Sequence, residues 1–127
     1  MKLQYNLKLF LYLRRVNILN NGIKLSLKEV QEKLSDSRKE FVEFFQDGDI
    51  SVESYKPDKI DNQTPHTRDE IYIVVSGDGI FFCNGVREKF QTGDFLFVPA
   101  GVEHRFEKFS LDFVTYVIFY GPEKIIK

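Results

Sequence analysis

The chain has 127 residues, of which 43% are hydrophobic, 29% charged and 15% aromatic, and its net charge is −1. This length predicts one domain with its own core, and the near-zero charge gives no electrostatic reason to expect a nucleic-acid partner. No apolar run approaches the roughly 18 residues of a membrane-spanning helix, so we expect no membrane partner. The single cysteine, Cys83, cannot form an internal disulfide, which favours a reducing compartment and hence a cytoplasmic protein.

Residues 1–25 differ from the rest of the chain in charge and in pattern. Residues 1–28 hold six cations and no acid, and leucine or tyrosine occupies every odd position from 3 to 13. Period-two alternation predicts a strand. We therefore assign residues 1–25 to a basic N-terminal extension with an added strand, and residues 26–127 to the main domain. The strand is expected to extend a sheet or to pair with a second copy in a homodimer, and a poorly packed leader is the alternative.

One short helix is predicted over residues 26–34. Ser26 with Glu29 three residues later has the form of a capping box, in which each side chain satisfies a free group at the helix start. Leu27, Val30 and Leu34 are spaced to share one helical face.

From residue 40 onward the pattern is that of short strands separated by turns. Asn84-Gly85 is a strong hairpin signal, because both central residues of a type I′ turn need a positive φ. Strands bounded by turns at this spacing predict an antiparallel sandwich or barrel. The predicted strands are 40–46, 49–55, 70–75, 80–83, 86–90, 95–101, 102–107 and 112–120.

Two histidines and one carboxylate form the candidate site. His66 and Glu70 have the same parity, so on one strand their side chains face the same way. A carboxylate on an apolar interior face is costly unless it is paired or coordinates a metal. Imidazole and carboxylate together suit a first-row divalent metal. His104 would be the third ligand if its strand lies nearby; pairing of Glu70 with Arg68 or Arg87 is the alternative.

The spacing of these residues resembles that of the cupin superfamily, over about residues 40–121. Its first motif has a histidine, a glutamate four residues later and a glycine seven residues after that, as in His66, Glu70 and Gly77. Its second motif is matched by Gly93, Pro99, Gly101 and His104, but Lys108 replaces the final asparagine. The resemblance implies an all-β fold, an antiparallel double-stranded β-helix or jelly-roll barrel. It also implies a bound divalent metal ion such as Fe, Mn, Zn or Ni.

One departure from the family pattern concerns the metal ligands. The family's first motif carries another histidine two residues before His66, and that position is Thr64 here. Two histidines and a carboxylate can still hold a metal with open positions. Gln63 or Thr64 could supply a weak oxygen ligand; lower affinity or an empty site is the alternative.

The resemblance implies a small-molecule ligand in the barrel mouth. Tyr72, Arg68 and Tyr116 are candidates for contacting it. We expect a metal-dependent enzyme of dioxygenase, isomerase or lyase type acting on a small oxygen-bearing molecule. The alternatives are a non-catalytic ligand-binding or sensor protein with a weakened metal site, and an assembly scaffold.

Overall fold

The structure is a computed structural model that describes residues 17–19 and 21–125, with side chains described from residue 21 onward. It contains one helix, α1, and ten strands among these residues. Their bounds are β1 Asn17–Leu19, β2 Gly22–Lys24, α1 Leu27–Ser37, β3 Phe41–Asp47, β4 Ile50–Tyr55, β5 Asp69–Ser76, β6 Asp78–Cys83, β7 Val86–Gln91, β8 Phe95–Val98, β9 His104–Glu107 and β10 Val114–Tyr120. The strand predicted over residues 3–13 lies outside the described residues. No described helix is long and apolar enough to cross a membrane.

Two antiparallel sheets form the body of the protein. The larger sheet has the order β3-β4-β10-β5-β8 and the smaller has the order β7-β6-β9, while β1 and β2 form a separate hairpin. This arrangement confirms the predicted all-β jelly-roll fold with one short N-terminal helix. Eight buried side chains, from both sheets and from the turn before β10, pack into one inner core: Tyr72, Val74, Phe81, Phe90, Val98, Phe106, Phe113 and Val117.

Helix α1 covers the outer face of the larger sheet. The main-chain N–H of Glu29 donates to Ser26 Oγ at 3.1 Å, as the capping box predicts. Val30 and Leu34 are buried beneath the helix. Leu27, which was placed on the same face, stands in the first turn of the helix and is 45% exposed. The helix also runs to Ser37, three residues beyond its predicted end.

Two glycine-containing turns place the strands that carry the site. Asn84 and Gly85 both have positive φ, so the predicted type I′ hairpin between β6 and β7 is confirmed. Gly77, with φ +90°, joins β5 of the larger sheet to β6 of the smaller. A Cβ at Gly77 would lie 2.6 Å from Phe113 Cα. Only glycine therefore allows the two sheets to approach this closely here.

Candidate metal centre

The three residues of the predicted site come from different parts of the fold. Glu70 lies on β5 of the larger sheet and His104 begins β9 of the smaller sheet. His66 lies in the loop before β5, and its carbonyl accepts a 2.8 Å hydrogen bond from the main-chain N–H of Gly101. Gly101 belongs to the turn that precedes His104. This bond therefore ties the two histidine-bearing segments together.

The structure brings the three side chains close together. His104 Nε2 lies 2.6 Å from Glu70 Oε1, and His66 Nε2 lies 3.6 Å from Glu70 Oε2. Atoms of all three that can bind a metal lie within 4.8 Å of one another. Glu70 and His104 are buried, at 0% and 2% exposure. The side chain of His66 is 34% exposed, so His66 forms the accessible side of the cluster.

Gln63 brings a fourth side chain, with an amide oxygen, to this cluster. Gln63 Oε1 lies 3.1 Å from His66 Nε2 and 3.0 Å from His104 Nε2. Of the two residues proposed as a further ligand, Gln63 lies at the site. Thr64 is exposed and lies outside the residues that line the adjoining cavity.

Asp61 holds the amide of Gln63 in this orientation. The Gln63 side-chain NH₂ donates to Asp61 Oδ2 at 2.6 Å, which leaves Oε1 facing the histidines. Asp61 is buried and also accepts from the Tyr55 hydroxyl at 2.6 Å and from the Phe106 main-chain N–H at 2.8 Å. Sequence reasoning missed Asp61, because a single acid in an irregular loop has no periodic pattern to identify it.

The protonation of His104 is set by its two partners. Its Nδ1 lies 2.8 Å from the carbonyl of Val102, so Nδ1 carries a proton and Nε2 faces the cluster. Burial opposes the charged ring, but the hydrogen bond and the charge of Glu70, with the Val102 carbonyl, raise the pKa of His104 above its ordinary value. Burial lowers the pKa of His66, although Glu70 opposes that change. A proton on His104 therefore occupies the position from which Nε2 would bind a metal.

Tyr72 supports the cluster from the barrel interior, where it is 1% exposed. Its hydroxyl lies 3.0 Å from Gln63 Oε1, 3.1 Å from Glu70 Oε1 and 3.0 Å from His104 Nε2. Burial and the charge of Glu70 raise the pKa of Tyr72 well above its ordinary range. The hydroxyl therefore remains a hydrogen-bond donor to the ligand oxygens.

The cluster has the properties expected of a metal centre. Glu70 Oε2 is buried and lacks a hydrogen-bond partner among the described residues, and such an atom is costly unless a cation meets it. Two imidazole nitrogens, a carboxylate and an amide oxygen suit a first-row divalent metal. The residues present fit such an ion.

Arg68 and Tyr116, two of the predicted pocket residues, do not line the cavity. Arg68 donates to the main-chain carbonyl of Gly121 at 3.1 Å, to Ser51 Oγ at 3.3 Å and to the carbonyl of Asp49. Tyr116 lies on the outer face of the larger sheet, where its ring packs against Phe44 at 5.0 Å. Their placement corrects both predictions, and it follows from the direction in which each side chain leaves its strand or loop.

The alternative pairings considered for Glu70 are also not observed. Arg87 pairs with Glu107, with Nε 2.8 Å from Oε1, and Arg68 is bound as described above. Glu70 instead faces the two histidines.

A cavity of about 470 Å³ opens onto the cluster. Gln63, His66 and Tyr72 line its inner end, and Phe41, Val117 and Phe119 form apolar walls. Polar groups that sequence reasoning did not identify as part of the site also line the cavity: Glu40, Glu53, Tyr55 and Asn62. A cavity of this volume accommodates a small organic molecule.

Comparison with known proteins places this geometry in a family. Residues 51–116 match the family described as Cupin domain. An uncharacterized protein of Streptomyces coelicolor is 32% identical over 99 residues, which cover 76% of this chain and 94% of that protein.

Solved structures show the same fold at lower identity. A Photorhabdus luminescens protein is similar with a TM-score of 0.60 and 17% identity, over 83% of this chain and 88% of that one. A nucleoside dehydratase from Streptomyces is similar with a TM-score of 0.51 and 21% identity, over 63% of this chain and 67% of that one.

Proposed function

The chain belongs to the cupin family, and we propose that it is a metal-dependent enzyme acting on a small oxygen-bearing organic molecule. One observation carries the proposal: four donor side chains converge at the inner end of the cavity, and a buried oxygen of one of them, Glu70 Oε2, lacks a hydrogen-bond partner among the described residues. His66, Glu70 and His104 would hold the ion, with Gln63 Oε1 as the fourth ligand.

A divalent metal bound there would supply Lewis acidity and a template for an oxygen-bearing ligand. The residues of the chain supply the rest. The Tyr72 hydroxyl lies 3.0 Å from Gln63 Oε1 and 3.1 Å from Glu70 Oε1, and its one proton can be donated to either oxygen. Val117 and Phe119 line the route to the cluster with apolar surface, which excludes water and strengthens polar contacts inside.

The reaction that we propose is of dioxygenase, isomerase or lyase type. The nucleoside dehydratase among the structural neighbours is an instance of lyase chemistry on this fold. Its identity to this chain is 21%, so the comparison supports the fold and leaves the substrate to experiment.

Metal content of the purified protein tests the proposal. We expect close to one equivalent of a first-row metal per chain after purification without added metal, and its loss in His66→Ala and His104→Ala. Thr64→Ala is the matched control, because Thr64 is adjacent to Gln63 in sequence but exposed, and it should retain the metal. Absence of metal from the wild-type protein, both as purified and after incubation with each of Fe, Mn, Zn and Ni, would refute the proposal.

The second candidate function is a non-catalytic ligand-binding or sensor protein. It is favoured by the 2.6 Å contact between His104 and Glu70, because a proton shared by this buried pair can stabilise the site without a metal. Stoichiometric metal or ligand binding without turnover across a panel of small hydroxy acids, diols and sugars would favour this role.

The proposed location is the cytoplasm, and the single unpaired cysteine supports it. Cys83 has no second cysteine with which to form an internal disulfide and packs, half-buried, against the inner core. A free thiol of this kind is typical of a reducing compartment.

A further inference from the structure

Glu53 lines the cavity on the same sheet face as Tyr72 but two strands away from it. We call this side of the cavity, away from the cluster, its outer end. Opposed residues of neighbouring antiparallel strands point to one face. The register places Tyr72 of β5 opposite Val117 of β10, Val117 opposite Glu53 of β4, and Glu53 opposite Glu43 of β3. Because the Tyr72 hydroxyl contacts the cluster, this row runs from the metal ligands across the cavity to Glu53.

The carboxylate of Glu53 has no cationic or hydrogen-bonding partner among the described residues. The described residues that line the cavity include two carboxylates, from Glu40 and Glu53, and no lysine or arginine. Burial raises the pKa of the neighbouring Glu43, although the charge of Arg68 opposes that change. The guanidinium N–H groups of Arg68 bind Gly121, Ser51 and Asp49. Glu53 therefore stands in a partly buried acidic environment that the protein leaves uncompensated.

The two ends of the cavity therefore differ in the ligand groups that they would bind. At the inner end Glu70 Oε2, which lacks a hydrogen-bond partner among the described residues, indicates a cation or donor beside the histidines. At the outer end burial, with the charges of Glu43 and Glu70, raises the pKa of Glu53 to about 7, which a bound cation would reverse. Two strand spacings, roughly 10 Å between main chains, separate Tyr72 from Glu53. Their side chains span part of that distance, so one small molecule can contact both ends.

We propose that the ligand is an amine: its oxygen-bearing end faces His66 and Gln63, and its ammonium group donates hydrogen bonds to Glu53. The placement of the oxygen-bearing end rests on the proposed function, whereas the placement of the ammonium group rests on Glu53 alone. The apolar walls between the ends, formed by Val117 and Phe119, suit the carbon skeleton of such a molecule. Phosphorylated or carboxylated ligands are disfavoured, because their anionic groups would meet two carboxylates in the cavity.

Binding of two matched probes tests the inference. Aminopropanediol and glycerol share a vicinal diol and differ only in whether the third carbon carries an ammonium or a hydroxyl. Their affinities are measured by ligand-observed NMR titration against wild type, Glu53→Gln, Glu53→Asp and Glu88→Gln, with metal content determined on each sample. Glu88 is an exposed acid on β7 of the other sheet and serves as the matched control.

We expect wild type to bind aminopropanediol about tenfold more tightly than glycerol, as a charge-assisted hydrogen bond gives. Glu53→Gln should abolish that preference, while Glu53→Asp and Glu88→Gln should retain it. Equal affinities in wild type, or an unchanged ratio in Glu53→Gln, would overturn the inference. A Glu53-dependent preference in metal-free protein would support the amine end and count against the proposed metal enzyme. Bound metal without a preference for the amine would support the proposed metal enzyme and overturn the amine inference.

Discussion

Replacing Glu53 by glutamine should stabilise the protein at alkaline pH and leave it nearly unchanged at acid pH. Burial raises the pKa of Glu53 to about 7 from an ordinary value of 4.5, and the neighbouring charges of Glu43 and Glu70 add to the rise. The folded state therefore holds a proton that the unfolded state releases above pH 4.5. Glutamine has nearly the same shape and carries no ionisable group, so it removes this difference.

The sign and size of the effect follow from proton linkage. Because the pKa is raised in the folded state, the contribution of Glu53 to stability is fully present below pH 4.5 and is lost as the pH rises to about 7. The full shift corresponds to about 3 kcal/mol. Glu53 is half-buried, so solvent screening reduces the expected loss to about 1–2 kcal/mol.

Urea denaturation of metal-free protein between pH 4.5 and pH 8 measures this loss. We expect Glu53→Gln to exceed wild type in unfolding free energy by about 1–2 kcal/mol at pH 8 and by close to zero at pH 4.5. Glu88→Gln, on the exposed strand β7, should follow wild type throughout. A constant difference between Glu53→Gln and wild type at every pH would refute the assignment of a buried, uncompensated carboxyl.

Three further predictions concern the turn at Gly77, the hydroxyl of Tyr72 and the oligomeric state. Gly77→Ala should lower the unfolding free energy by roughly 3 kcal/mol or more in thermal denaturation, because its Cβ would meet a main-chain atom at 2.6 Å. Gly93→Ala is the control, because Gly93 has a similar φ but no atom within 4 Å of an added Cβ. It measures the backbone strain alone and should lower the unfolding free energy by less. Tyr72→Phe removes the hydroxyl beside three of the proposed ligand atoms and should weaken metal binding about tenfold or more in a chelator competition titration. Tyr116→Phe, on the outer face of the larger sheet, should leave metal binding unchanged. The predicted homodimer should sediment at twice the mass of the chain, and a form lacking residues 1–25, which include the strand predicted to pair with a second copy, should shift toward monomer; a wild-type monomer would refute the homodimer.

The parts of the fold that could be predicted from the sequence are those with local physical causes. The hairpin at Asn84-Gly85 needs two positive φ values, and few other residue pairs adopt them readily. The helix begins at a cap whose donor and acceptor are three residues apart. The strands of the barrel follow from period-two alternation. His66 and Glu70 are related by parity within one short segment. His104 could be joined to them only through the spacing of the family motifs, since no local rule joins positions so far apart.

The remaining features depend on which face each strand presents and on contacts made by irregular loops. Tyr116 lies on β10, where a register shift occurs between Val114 and Thr115, and its neighbours in sequence do not reveal that it faces outward. Glu53 has the alternating neighbours expected of a half-exposed strand, and only the cross-strand register places it in the cavity. Parity relates residues of one strand to one another. Parity does not determine whether the odd-numbered or the even-numbered residues of a strand face the interior.

The replacement of the family's additional histidine by Thr64 need not cost the site a ligand. The neighbouring residue, Gln63, lies before β5 in a loop that does not alternate as a strand does. Its side chain is therefore free to reach the cluster, and Asp61, two residues earlier, accepts both its main-chain N–H at 3.2 Å and its side-chain NH₂ at 2.6 Å. Because Asp61 is itself bound to Phe106 of the other sheet, the amide oxygen is held by the core of the barrel. A neutral oxygen in place of an imidazole keeps four donors at the site while lowering its affinity for soft metals.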